Sequence, residues 1–135
     1  MKKILLTLLL LAGMAHGAIE MAAGYDAALE AAQKADKPIM LVLSSHSCRY
    51  CDLFANETLG DDLVIQALNR DFVSTIVYAA EGEAAPRELI TGATPTIWFL
   101  NPDGTPMFQP IMGAVGKEDF LKALAIVHDT YKAQK

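Results

Sequence analysis

Two cysteines, Cys48 and Cys51, flank Arg49 and Tyr50 just after the apolar run Ile39-Met40-Leu41-Val42-Leu43. A Cys-X-X-Cys pair therefore stands where a buried strand is expected to hand over to a helix. At a helix start the first sulfur lies near unpaired backbone N–H groups and the positive end of the helix dipole, and both favour thiolate over thiol. Cys48 is the expected nucleophile. Cys51, one turn later, is expected to be more buried and to attack a mixed disulfide on Cys48, closing the intramolecular bridge and releasing a reduced substrate. Arg49 is permanently cationic and would stabilise a neighbouring thiolate, and His46 would do the same when protonated or accept a proton when neutral; the competing readings are a solvated Arg49 and a turn histidine that only hydrogen-bonds its loop. A stabilised thiolate makes the couple more oxidising.

An inert disulfide and a metal site are the competing readings. So short a loop gains little chain-entropy stabilisation. Structural zinc takes about four ligands, and beyond residues 1–17 the sequence adds only His46, His128 and carboxylates to the cysteine pair. From a different class, a Cu(I) carrier using Cys48, Cys51 and either His46 or a Met is chemically reasonable, since thiolates suit Cu(I). It lacks a clear third ligand. Thiol–disulfide exchange is the simpler chemistry and needs no bound cofactor or metal.

The N-terminal residues read as a secretory signal: Lys2-Lys3, an apolar stretch from Ile4 to Leu11, then small residues with a cleavage site after Gly17. The apolar run is shorter than the roughly 20 residues that span a bilayer. Removal of residues 1–17 leaves 118 residues, 18–135, and takes the formal net charge from −5 to −7. That length suits one domain with a real core, and the acidic balance disfavours nucleic acid as a partner. A periplasmic or secreted location follows, where disulfides persist.

Residues 25–36 are rich in helix formers and end at Lys37-Pro38, which predicts a first helix. The uninterrupted apolar run from Pro38 to Ser44 predicts a strand buried on both faces. A helix is expected from Cys48 to Thr58 or Leu59, with Leu53 and Phe54 inward and Gly60 ending it. Asp61 or Asp62 caps the next helix, over Leu63 to Arg70, with Leu63, Ala67 and Leu68 on its buried face. Phe72 to Tyr78 has strand composition, Ala79 to Pro86 reads as a flexible acidic connection, and a short helix from Pro86 includes Leu89. Thr96 to Leu100 is the next strand, Asn101-Pro102-Asp103-Gly104 a turn, and Met107 to Met112 the antiparallel return. Phe120, Leu121, Leu124, Val127 and His128 recur at helical spacing in a C-terminal helix. Trp98 reads as core or sheet-face packing, His128 as a packed histidine and Glu57 as surface charge. Together these elements predict an α/β sandwich around a mixed central sheet, with Cys48 at the carboxyl end of a central strand, where chemistry in such sheets concentrates.

At this point the chain resembles the exported thioredoxin-related proteins of the thioredoxin fold. The resemblance rests on Lys37-Pro38, Cys48-Arg49-Tyr50-Cys51, Thr94-Pro95-Thr96, Asn101-Pro102-Asp103-Gly104 and Met112-Gly113-Ala114. It implies the thioredoxin fold with an extra N-terminal helix. It also implies a cis peptide before Pro95 that presents the backbone of Thr94 beside the nucleophile, where an extended substrate pairs by β-type hydrogen bonds. Gly113 would line the same groove, and Tyr50 reads as either a groove contact or a helix-surface aromatic. The implied activity is exchange with protein disulfides or dithiols by a monomer, preferentially as a reductase supplied by a membrane thiol donor; oxidase or isomerase action is the alternative. Three positions depart from the family pattern. Val42 stands where a buried Asp assists the second cysteine, Ser47 where a Trp precedes the first, and Arg49-Tyr50 where Gly-Pro separates the two.

Overall fold

The computed structural model describes residues 17–135. The expected signal segment thus lies almost wholly outside the described residues. Helix α1 spans Tyr25–Ala35 and strand β1 Ile39–Leu43; α2, Arg49–Leu53, runs directly into a wide π-helical turn, Phe54–Thr58. Next come α3 (Asp62–Asp71), β2 (Val73–Val77), two single 3-10 turns at Ala79–Glu81 and Arg87–Leu89, β3 (Thr96–Leu100), β4 (Ile111–Met112) and α4 (Lys117–Ala133).

The strands form one mixed sheet in the order β2-β1-β3-β4. β1 pairs parallel with β2, Ile39 opposite Val73 and Leu43 opposite Val77, and antiparallel with β3, Ile39 opposite Leu100 and Leu43 opposite Thr96. All five residues of β1 are buried because helices cover both faces. Alternation along the strand sorts the core into two layers. Met40 and Val42 join Phe54, Leu68, Phe99 and Phe120 beneath α2, α3 and α4, whereas Ile39, Leu41 and Leu43 join Ala28, Ala32 and Trp98 beneath α1. Trp98 is core, and its indole N–H donates to Leu89 O at 2.9 Å. α1 ends where Asp36 turns left-handed (φ 53°) and its N–H bonds Ala32 O.

Several local expectations need correction. Leu53 is 46% exposed, since Cys51, Phe54 and Thr58 define the inner face of the cysteine helix and Leu53 lies well round from it. Leu63 is 61% exposed. Asp61 is the cap of α3, accepting from the N–H groups of Leu63 and Val64, and this setting turns Val64 and Leu68 inward. The return strand is only Ile111–Met112, with an isolated bridge at Pro106, because Pro106 and Pro110 offer no N–H to a ladder. In α4 the buried residues are Phe120, Leu124, Val127 and Tyr131; Leu121 and His128 are half-buried. The acidic connection contains an ordered 3-10 turn at Ala79–Glu81, closed by Gly82 at φ 97°.

Candidate redox site

The apolar β1 carries the chain to Leu43, and Ser44 continues the sheet by donating its N–H to Val77 O at 3.0 Å. The turn Ser44-Ser45-His46-Ser47 then lifts Cys48 to the N-cap of α2, in extended conformation (φ −134°, ψ 109°). Its Sγ accepts the Cys51 N–H at 3.1 Å, doing what a Ser or Asp oxygen does at an ordinary helix start. Cys48 and Cys51 are joined as a disulfide, with Cα atoms 5.2 Å apart. Cys48 is half-buried, whereas Cys51 is 4% exposed on the inner face of the helix. An incoming group therefore meets Cys48 first.

Thr94 faces the same sulfur from the loop that enters β3. Its hydroxyl donates to Cys48 Sγ at 3.4 Å, and its carbonyl oxygen lies 3.6 Å from that atom. The Thr94–Pro95 peptide is cis. Gly113, just past β4, donates its N–H to Pro95 O at 2.9 Å and holds φ 90°, a backbone setting that L side chains resist. A Cβ there would meet nothing within 4 Å, so the backbone angle rather than crowding calls for glycine. Exposed apolar side chains stand on each segment of this surface: Tyr50 (60% exposed) between the cysteines, Ile90 ahead of Thr94, and Met112 beside Gly113. Met112 is tied down by the Thr96 hydroxyl, 3.6 Å from its sulfur. Cys48, Thr94, Pro95 and Gly113 are thus brought together by hydrogen bonds from three separate segments.

Arg49 and His46 are placed differently. Arg49 is exposed and forms no ion pair among the described residues. His46 stacks on Tyr78, ring centroids 3.9 Å apart, and its Nδ1 lies 2.9 Å from Glu81 Oε1, while its backbone N–H donates to Oε2 of the same carboxylate at 3.2 Å. It makes no hydrogen bond to either sulfur. The His46 hydrogen bond holds the Glu81 carboxyl below its ordinary range. Glu81 had no signal in the sequence beyond its place in an acidic stretch, because only folding brings it to a residue 35 positions away.

Val42 lies beneath Cys51, where it lines a cavity of about 70 Å³ with Cys51, His46, Asp52 and Tyr78. No carboxylate replaces it within the strand. His128 sits far along α4, its Nδ1 3.8 Å from Asp71 Oδ1, and takes no part in this site. Among the described residues, no three His, Cys, Asp or Glu side chains cluster closely enough to hold a metal ion.

Known proteins are similar to this chain. The solution structure of a thioredoxin from Thermus thermophilus is 26% identical, with a TM-score of 0.68 over 82% of this chain and 88% of that one. A DsbH oxidoreductase superposes with a TM-score of 0.65 at 15% identity, covering 84% of this chain and 86% of its own, a likeness of fold. Among curated proteins, spermatogenesis-associated protein 20 of Rattus norvegicus is 27% identical over 103 residues, or 73% of this chain. The match spans only 13% of that protein's length. The profile of the thioredoxin-like domain matches residues 25–128, from the first helix through most of the last, and with this fold and cysteine pair the chain belongs to the thioredoxin-like domain family.

Proposed function

We propose that this protein is an exported thiol–disulfide oxidoreductase acting on other proteins, with Cys48 as nucleophile and Cys51 as resolving thiol. The observation that carries this reading is the unequal setting of the two bonded sulfurs. The Cys48 sulfur faces outward and receives two donors, the Cys51 N–H and the Thr94 hydroxyl, while Cys51 is packed beneath it. In the reduced protein those donors stabilise a Cys48 thiolate. That thiolate attacks one sulfur of a substrate disulfide, and the other sulfur leaves. Cys51, deprotonated, then attacks Cys48 Sγ and expels the second substrate sulfur. Two electrons pass from the pair to the substrate, and the bridge seen here is the product.

An extended substrate segment would pair with the backbone of Thr94 between Tyr50, Ile90 and Met112, with Gly113 keeping that edge open. Reductase is the direction we propose, supported by the likeness to a thioredoxin. Reducing electrons would come from a membrane thiol donor. The pattern of Lys2-Lys3 and Ile4 to Leu11 supports export with cleavage after Gly17, and the domain then acts as a monomer in the periplasm or outside the cell.

The test is turnover of a protein disulfide by the reduced protein. Cys48→Ser is expected to abolish it, and Cys51→Ser to accumulate mixed disulfides with substrates. Full turnover by Cys48→Ser refutes the assignment. The potential decides direction: a value near about −270 mV supports reductase action, and one near about −120 mV an oxidase.

A further inference from the structure

Cys51 must lose a proton before it can attack, yet it is buried beside Val42, which offers no acceptor. The cavity of about 70 Å³ against Cys51 supplies a route. It exceeds the roughly 10–15 Å³ that one water requires, and the polar residues Ser44, Ser45, His46 and Asp52 are among those that line it. His46, one of the lining residues, is fixed twice, by stacking on Tyr78 and by the Glu81 carboxylate at Nδ1. A carboxylate that accepts from Nδ1–H selects the tautomer with a free Nε2 lone pair and stabilises the imidazolium that forms when Nε2 takes up a proton.

We propose that His46, oriented by Glu81, accepts the proton of Cys51 through water in this cavity, in place of a carboxylate at position 42. The proposal rests on the exchange reading above and names the base for its second step. The Cys51 S–H proton passes through water to His46 Nε2; the Cys51 sulfur forms its bond to Cys48 Sγ as the Cys48–substrate bond breaks. The departing substrate thiolate carries the electron pair away, and the imidazolium returns its proton to that thiolate or to solvent. Glu81 and Tyr78 contact the imidazole, and Asp52 shares the cavity lining with it. Asp52 is the rival acceptor, but a carboxylate open to bulk water is a far weaker base than an imidazole held by its own carboxylate partner. Glu81 acts through His46 and is a positioning residue.

The two steps separate in a stopped-flow reaction of the reduced full-length protein with the aromatic disulfide 5,5′-dithiobis(2-nitrobenzoate). Attack by Cys48 releases one coloured thiolate, and resolution by Cys51 releases the second. In His46→Phe, which keeps an aromatic ring over Tyr78, the first phase is expected to be unchanged and the second to slow about tenfold near neutral pH. The pH profile of the second phase should also lose an inflection, and Glu81→Gln should move that inflection without abolishing the phase. An unchanged second phase in His46→Phe overturns the proposal, as does equal slowing of both phases, which would put His46 at Cys48. If the unsubstituted protein releases no second thiolate, Cys51 does not resolve, and the exchange reading falls together with this proposal.

Discussion

The hydroxyl of Thr94 donates to the sulfur of Cys48 across 3.4 Å, joining segments 46 residues apart in sequence. Such a bond favours the ionised sulfur over the neutral one. Thr94→Val keeps the shape and removes the donor. At about 1 kcal/mol for a half-buried bond of this kind, the change is expected to slow alkylation of reduced Cys48 at neutral pH roughly fivefold. It should also make the reduction potential more negative by about 20 mV. Alkylation kinetics and equilibration with glutathione measure the two effects.

Phe54 anchors the cysteine helix from below. It is 1% exposed and meets Phe120 edge-on, ring centroids 5.4 Å apart. Phe54→Ala is expected to destabilise the fold by about 3–5 kcal/mol through lost burial and the cavity left behind, read from urea unfolding.

Gly113 holds φ 90° while its N–H bonds Pro95 O. Gly113→Ala is expected to cost about 1–2 kcal/mol from backbone strain alone, since the added methyl meets no neighbour. Exchange with a protein substrate should fall more than exchange with a small disulfide, because strain at this position shifts the edge on which a peptide would lie.

The hydrogen bond between His46 and Glu81 gives a pH signature. The hydrogen bond from His46 lowers the folded-state pKa of Glu81 from 4.5. Stability from this pair is therefore fully present above about pH 4.5 and is lost as pH falls through the lower, folded value. The unfolding midpoint of Glu81→Gln should lie slightly below that of the unsubstituted protein near neutrality, and the two should converge in acid.

Where one local pattern decided an element, the sequence was readable. The apolar run at β1, the Lys37-Pro38 stop, the Asn101-Pro102-Asp103-Gly104 turn and the spacing of Phe120, Leu124 and Val127 led directly to the observed elements. What it missed depended on rotation or distance. Leu53 and Leu63 are apolar residues beside the true inward positions, Phe54 and Val64, and the cap chosen at Asp61 decides which of the second pair turns inward. The wide turn at Phe54–Thr58 has no local signature. Glu81 is the clearest case, since its meaning comes from a histidine across the sheet end that no spacing rule connects to it.

At the outer flank of the sheet, β4 is two residues long, and Pro106 and Pro110 bracket its approach. Another polypeptide seeking lateral backbone partners finds almost no continuous row of donors there. The opposite flank is partly covered by the chain itself, where Met21 bridges Ser74 and the Ala22 N–H donates to Ser74 O. The fold thus discourages lateral strand pairing along its sides and leaves the end that carries Cys48 as its open approach.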